Sequence, residues 1–458
     1  MTDLPFASAL PDIVFPAAVS GRGMASLSFL FQLELSQWWT PERLRRGQET
    51  QLRRLLAHAD AHVPFWRGRL GALIDAPDSE TFWAGWRAQS LLGRRQIQEA
   101  GETLIAEAMP DGHGDLAEIF TSGSTGKPIR AVRSDLWELL WSAFTVREHL
   151  WHRRDLSAKL AAIRTSTRGK ALWPAGERLE QWGFSTGDIF ATGPCVGLNI
   201  TTPVEQQLEW LAREEPDYLL THPTMLDRLL RAGGGFRPAR LKQVLTISEI
   251  LAPGLRALCR ERWGVPVIDT YSARECGYLA FQCPDHEHYH LQAESALVEI
   301  LDEAGEPAAP GAIGRVIVTP LHNLAMPLLR YDIGDYAETG DAPCPCGRGL
   351  PVIRRILGRR QNLLRLPDGG ERWPLLSSGD IGALLALAPI RHYQVAQVAP
   401  DRIELRLQTA RALAEVEVAH VLEWARRKFG AEFRIDLAFP PALERSAAGK
   451  FEDFVSLL

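Results

Sequence analysis

Thr121-Ser122-Gly123-Ser124-Thr125-Gly126-Lys127-Pro128 packs four hydroxyls, two glycines and one lysine into a single run. Glycine lets backbone N–H groups turn towards a ligand with no Cβ in the way. Successive N–H groups in such a loop form a concavity that holds an anion. The hydroxyls add donors and Lys127 adds a full positive charge, so the run describes a polyphosphate loop. It is not a Walker P-loop: Thr121 stands where the first glycine belongs, and Pro128 follows the lysine in place of Ser or Thr. Taken alone, the run also fits an ordinary surface turn, and the flanking chain has to decide.

Ile119-Phe120 reads as a strand end leading into the run. Ile129, Ala131 and Val132 read as the returning strand of a hairpin, and Asp135 to Trp151 as a long helix. Upstream, Thr40 caps a helix with Pro41 at its first position, and Pro64 ends it. A second helical region spans Ser79 to about Glu107, while the first thirty-odd residues show no period. Downstream, short strands alternate with helices. The strands are Lys159–Arg164, Asp217–Thr221, Gln243–Ile247 and Val265–Tyr271. The helices follow Thr202-Pro203, then run Pro223–Arg231 and Pro253–Trp263. That alternation implies parallel strands joined by right-handed crossovers. From Leu291 the pattern turns β-rich, with strands Ala296–Leu301 and Gly314–Thr319. The last hundred residues read as a separate unit: a hairpin of His392–Val398 and Ile403–Leu407, a helix Leu413–Phe429 and a strand Phe433–Phe439. The expected fold class is α/β. A large N-terminal domain, 1–357, has mixed parallel sheets and a β-rich subdomain, and a small C-terminal α+β lid domain covers 358–458.

The chain has 458 residues, a formal net charge of −5 and 46% hydrophobic content, which suits a large soluble globular core. That charge gives no overall attraction to nucleic acid or to anionic membrane. No apolar run reaches the length of a membrane span, and the N-terminus lacks the pattern of a signal peptide. Six cysteines are too few and too scattered for a disulfide framework. A reducing cytoplasm is the expected setting.

Further polar stretches sit at the ends of strands, where open α/β sheets place ligands. They are Thr246–Glu249, Asp269–Glu275, Arg330–Asp335 and Gly358–Asn362. In this order, with Val63-Pro64-Phe65-Trp66, the run Thr121–Pro128, the Tyr-x-x-x-Glu at Tyr271–Glu275 and a late Gly449-Lys450, the chain resembles the adenylate-forming ligases. Within them it is similar to the phenylacetate–coenzyme A ligase family, over almost its whole length.

The resemblance implies roles for these residues. Thr121, Ser122, Gly123, Ser124, Thr125, Gly126 and Lys127 would wrap the β- and γ-phosphates of ATP. Ser248, Glu249, Tyr271 and Ser272 would line the nucleotide pocket, with Tyr271 giving an aromatic face. Glu275 would hold Mg²⁺, a hard cation that prefers carboxylate oxygen. Asp335 would accept from the ribose hydroxyls, Arg359 would touch the nucleotide, and Lys450 would reach in from the small domain. Lys127, Glu275 and Lys450 would carry the catalysis. A carboxylate attacking an α-phosphate meets like charge, and fixed cations there favour the transition state. The acyl-adenylate then meets a thiol after the small domain turns about a hinge at Gly358-Arg359-Arg360-Gln361. Relatives carry Asp where Gln361 stands, so this hinge departs from the family pattern. The expected activity is activation of an aryl or arylacetic acid and transfer to coenzyme A. An amine, a carrier-protein thiol or a hydroxyl receiving AMP are the other acceptors, and a binding-only scaffold is the reading from a different class. A homodimer is the family's default.

A second constellation joins Cys283, His286, His288 and His290 to Cys344-Pro345-Cys346. Thiols and an imidazole in this number match a tetrahedral structural zinc. Cys283, His290, Cys344 and Cys346 are the favoured ligands, with His288 as the alternative to His290. Cys195, Cys259 and Cys276 read as buried thiols, and His222 as a structural histidine. Trp141, Phe144, Phe184, Gly193-Pro194 and Ala273 are candidates for the acid pocket.

Overall fold

Leu116–Phe120 (β1) pairs antiparallel with Arg130–Ser134 (β2), so the glycine run is flanked by a hairpin. Ser134 then accepts from Trp137 N at 3.4 Å and caps the helix Asp135–Trp151. This computed structural model describes residues 6–120, 129–166, 169–252, 254–340, 343–359, 364–372, 378–441, 443 and 454–458. They fall into two units. The larger takes described residues up to 250 and from 262 to 357, and the smaller takes those from 251 to 261 and from 358 onward.

The larger unit is built on one sheet. In chain order its strands are Leu160–Arg164 (β3), Glu177–Leu179 (β4), Cys195–Asn199 (β5), Tyr218–Thr221 (β6), Gln243–Ile247 (β7), Val267–Ala273 (β8) and Gly277–Gln282 (β9). Tyr289–Leu291 (β10), Ala296–Leu301 (β11), Ile313–Pro320 (β12), Tyr331–Thr339 (β13) and Val352–Arg359 (β14) complete it. Across the sheet they lie in the order β11-β12-β13-β14-β10-β9-β8-β7-β6-β3-β5-β4. The run β3-β6-β7-β8 is parallel, as the strand–helix alternation predicts, and β5, a strand that reading did not include, joins it parallel to β3. From β9 outward the neighbours are antiparallel where register is given. The β-rich stretch therefore continues the same sheet that the parallel strands begin.

Two expectations change. Gly21–Ser36 is a helix, capped by Ser20, whose hydroxyl accepts from Gly23 N at 2.9 Å. The expected helix over 79–107 is broken into Ser79–Ala88, Arg94–Ala100 and a short 3₁₀ turn at Gly101–Leu104. The cause is tertiary. Buried Arg330 donates to the carbonyls of Trp86, Arg87 and Gln89 at 3.2, 2.5 and 2.6 Å, and so satisfies the end of the first piece. Leu92 N then donates to Arg330 O at 3.0 Å, which draws the chain into an extended bridge.

In the smaller unit, Leu364–Arg365 (β15) and Glu371–Arg372 (β16) form a two-stranded piece. Ile390–Ala399 (β17), Arg402–Thr409 (β18), Arg434–Ala438 (β19) and Phe454–Ser456 (β20) form a sheet ordered β19-β18-β17-β20. The helix Glu415–Phe429 lays Val421, Trp424, Ala425 and Phe429 onto the core of that sheet.

A charged group is buried inside the larger unit. Arg154 donates to Glu148 Oε1 at 2.7 Å and to His149 Nδ1 at 2.8 Å. Burial works against the Glu148 carboxylate, but Arg154 outweighs it and the pKa falls from 4.5 to about 2. Burial lowers His149 from 6.5 to about 3 and His152 to about 4. All three shifts have one sign. Each folded-state pKa lies below its unfolded value, so the unfolded chain binds protons first. The stability they give is present above pH 6.5 and is lost as pH falls, first through the histidines and then through Glu148 between about 4.5 and 2. Urea midpoints measured from pH 7 to pH 4 are expected to fall, and His149→Gln to flatten the upper part of that fall.

Candidate active site

The parallel strands end on one side of the sheet, and the sequence-singled residues follow those ends. Ser248, just past β7, holds φ +70°, a left-handed backbone that non-glycine residues seldom adopt, and it is exposed. Such strain gathers at functional turns. Glu249 beside it faces the start of the helix Pro223–Ala232. It accepts from Thr224 Oγ1 at 2.6 Å and from Thr224 N at 3.2 Å, and lies 3.2 Å from His222 Nδ1. Burial opposes its ionisation, yet His222 and Thr224 prevail and its pKa is lowered. His222 thus holds Glu249 at the helix N-terminus, the structural role expected of it.

The next strand end is locked to a distant one. Tyr271 Oη donates to Asp335 Oδ2 at 2.7 Å, and Tyr331 Oη donates to Glu275 Oε1 at 3.3 Å. Tyr271 and Asp335 lie on β8 and β13. Glu275 follows β8, and Tyr331 opens β13. Each of the two segments offers one phenol and one carboxylate to the other. Burial pushes the Tyr271 phenol well above its ordinary value, and Asp335 adds to that, so it stays a donor at neutral pH. Ser272 stands opposite Tyr278 in the β8–β9 register. Gly277 has φ +90°, and a Cβ there would come within 3.1 Å of the Trp137 ring. Arg274 donates to Phe120 O at 3.2 Å, which ties the last residue of β1 to the turn that carries Glu275.

The run Thr121–Pro128, Arg360, Gln361 and Lys450 lie outside the described residues. Arg359 is described as the last residue of β14. Among the acid-pocket candidates, Trp141 packs tilted against Tyr278 with centroids 4.3 Å apart, Phe144 is core, and Phe184 is exposed. Tyr331 lies inside the Arg330–Asp335 stretch but was given no role of its own, and Tyr278 was not singled out by sequence, its available signal being its place three positions after Glu275.

The Cys283, His290, Cys344 and Cys346 ligand atoms all lie within 4.8 Å of one another. Cys283 Sγ is 3.9 Å from Cys344 Sγ, and Cys346 Sγ is 3.3 Å from His290 Nε2. A tetrahedron with zinc–sulfur bonds of about 2.3 Å has edges of about 3.8 Å. His290 Nδ1 faces Leu350 O at 3.5 Å, which turns Nε2 to the thiols. His288 Nε2 stands 3.0 Å from Cys344 Sγ and so flanks the group. Burial raises Cys283 to about 12 and raises Cys344, a cost that a bound cation would remove. The donor set fits a structural zinc. Cys195, Cys259 and Cys276 are buried, and none is disulfide-bonded.

The family model described as "AMP-binding enzyme" matches residues 74–323. The chain belongs to this AMP-binding enzyme family. That span holds the Thr121–Pro128 run, Ser248, Glu249, Tyr271 and Glu275. The chain is 24% identical to a phenylacetate-coenzyme A ligase of Thermus thermophilus, over 91% of this chain and 97% of that protein. It is 22% identical to a phenylacetate-coenzyme A ligase of Pseudomonas putida, over 70% and 72% respectively. Among solved structures, a 2-hydroxyisobutyryl-CoA ligase in its postadenylation state superposes with a TM-score of 0.72. It is 15% identical and covers 92% of this chain and 91% of that one. The fold of this AMP-binding enzyme is therefore that of acyl-CoA ligases. No described helix is long and apolar enough to cross a membrane.

His222→Ala leaves the buried Glu249 carboxylate with one partner fewer. A loss of about 1–3 kcal/mol in urea unfolding is expected, and Glu249→Gln in the same background is expected to recover part of it.

Proposed function

We propose that this enzyme uses ATP to convert a carboxylic acid, aryl or arylacetic in class, into an acyl-adenylate and passes the acyl group to the thiol of coenzyme A. The observation that carries this reading is the reciprocal lock of Tyr271 to Asp335 and Tyr331 to Glu275, at strand ends joined through Arg274 to the root of the glycine run. Full-length similarity to a phenylacetate-coenzyme A ligase supports the same chemistry.

In the first step a carboxylate oxygen bonds to the α-phosphorus, the bond to the pyrophosphate oxygen breaks, and pyrophosphate leaves. In the second, the thiol sulfur bonds to the acyl carbon, AMP leaves, and the thiol proton goes to solvent. Residues Thr121–Lys127 would hold the leaving phosphates. Asp335 would accept from the ribose, its carboxylate aimed by the Tyr271 phenol. Ser248, Glu249, Tyr271 and Ser272 would frame the nucleotide, and Arg359 would reach it. Glu275, oriented by Tyr331, would ligate Mg²⁺, which supplies charge neutralisation at the phosphates. Lys450 would stabilise charge developing on the transferred group. The segment 358–458 would act as the lid and turn about Gly358–Gln361 for the second step. Cys283, His290, Cys344 and Cys346 would hold zinc as a structural cross-link.

Acid-dependent pyrophosphate release followed by acyl-CoA formation is the expected behaviour over a panel of aryl and arylacetic acids. Release without thioester would move the acceptor to an amine, a carrier thiol or a hydroxyl, and no release with any acid would sink the reading. Lys450→Ala is expected to slow pyrophosphate exchange by about 10²–10³, while keeping the wild-type melting temperature. For the cluster, elemental analysis is expected to find about one zinc per chain, as a closed four-ligand site requires. Chelation should lower the melting temperature, and metal-free protein of full stability would refute the assignment.

A further inference from the structure

Leu160, Tyr218 and Leu245 pack on one face of the sheet with Trp182. Trp182 lies against Tyr218 on that face and against His149 of the helix 135–151, with centroids 5.5 and 5.2 Å away. The face is therefore the one that this helix covers. Strand alternation puts Ala162, Leu220 and Ile247 on the same face, each two residues nearer the strand ends. They belong to β3, β6 and β7, which have neighbours on both sides, yet each is only half-buried. A packed interior leaves no such opening, so the three mark the apolar floor of a hollow. Ser272 on β8 is half-buried as well, and it stands opposite Tyr278 on β9. Tyr278 and the helix residues Trp141 and Thr145 are half-buried in turn.

The Tyr278 ring is held on two sides, with its centroid 4.3 Å from Trp141 and 5.0 Å from Phe281. Its Oη lies 3.1 Å from Thr145 Oγ1. Thr145 Oγ1 donates to Trp141 O at 3.0 Å, the bond a helical threonine makes to the carbonyl four residues back. A threonine hydroxyl has one proton. With that proton turned to Trp141 O, the 3.1 Å contact uses the Tyr278 proton, donated to Thr145. The order of protons is thus set along three groups, and it ends at a phenol oxygen that can only accept. Burial raises the Tyr278 pKa to about 12, so the phenol keeps its proton at neutral pH. Trp141 leans on that oxygen from the helix side, and its remaining acceptor side goes to whatever fills the hollow. A floor of Ala162, Leu220 and Ile247 suits a ring. A neutral donor on that ring completes the order at Tyr278, and an ether or a methyl group cannot.

We propose that Tyr278 Oη, oriented by Thr145, selects an aromatic acid that carries a hydroxyl or amino group away from its carboxyl; this rests on the acid-activating reading above. The test is pyrophosphate release over benzoates and phenylacetates bearing hydroxyl, amino, methoxy or methyl at the 3- or the 4-position. At one ring position the hydroxyl and amino members are expected to exceed both methoxy and methyl by about three- to tenfold in kcat/KM, the scale of one neutral hydrogen bond. Tyr278→Phe is expected to bring the hydroxyl-to-methyl ratio near one. Thr145→Val frees the phenol proton for the ligand, so methoxy is expected to gain on hydroxyl, while Thr145→Ser keeps the wild-type order. A merely structural role would lower all members alike. Wild-type release that favours methoxy or methyl at every position overturns the proposal. So does a Tyr278→Phe enzyme with the wild-type ratio, or a Thr145→Val enzyme in which methoxy gains nothing. Absence of release with every acid, seen in the wild type before any variant is made, overturns the acid-activating reading itself.

Discussion

The larger unit depends on how its sheet curls. β8 and β13 are separated in the sheet by β9, β10 and β14, about 19 Å if the sheet were flat. Yet Tyr271 on β8 hydrogen-bonds Asp335 on β13 at 2.7 Å. The sheet must roll over between them. Its inner surface is filled by Leu279, Ala280, Tyr289, Leu291, Val316, Val318, Ile333 and Ile353, packed with the helix 41–62 through Leu52, Leu55 and Leu56. Burying that surface drives the roll. The two phenol–carboxylate bonds then fix where β8 and β13 meet, and a carboxylate held this way loses little freedom on taking up a ligand.

Much of this was legible in the chain. The caps and turn residues around 40–62 and 116–151 are local signals, and the elements there match the reading to within one or two residues. The strand–helix alternation from 159 to 271 also fixed the parallel pairing. What escaped was tertiary in origin. The helix over 79–107 is interrupted by the guanidinium of Arg330, more than two hundred residues away, and no pattern within the segment carries that. The short strands β4 and β10 have too few residues to show a period. The helix 21–36 has serines spread among its apolar residues, which blurred its face.

The same limit applies at the site. Glu275, Tyr271 and Asp335 could be named from motifs, but which phenol meets which carboxylate could not, because Tyr331 and Tyr271 each look across to the other motif. Glu249 came out of the sequence as a pocket residue, and the structure adds that it caps the helix 223–232. Its side chain is thus held by the fold through His222 and Thr224. The Cys/His group was read as four ligands from composition and spacing, and His290 proves to be the imidazole within the compact set. The hard oxygen donors around Glu275 and the soft sulfur donors of this group are distinct sets, suited to different ions.

β10 is three residues long and stands in the middle of twelve strands. It meets β14 through two register pairs and β9 through three. Among the register pairs described, its pairing with β14 is the shortest in the sheet, with β11–β14 on one side and β9 leading to the parallel strands on the other. Cys283 comes from the end of β9, His290 from β10 itself, and Cys344 and Cys346 from the loop before β14. The thiol–imidazole group therefore straddles the seam, with side chains drawn from both strands and from the loop before β14. A cation bound there would pin β9, β10 and the approach to β14 at once, so its loss would let the two parts of the sheet shear and disturb the alignment of Asp335 with Tyr271 from a point remote from either residue.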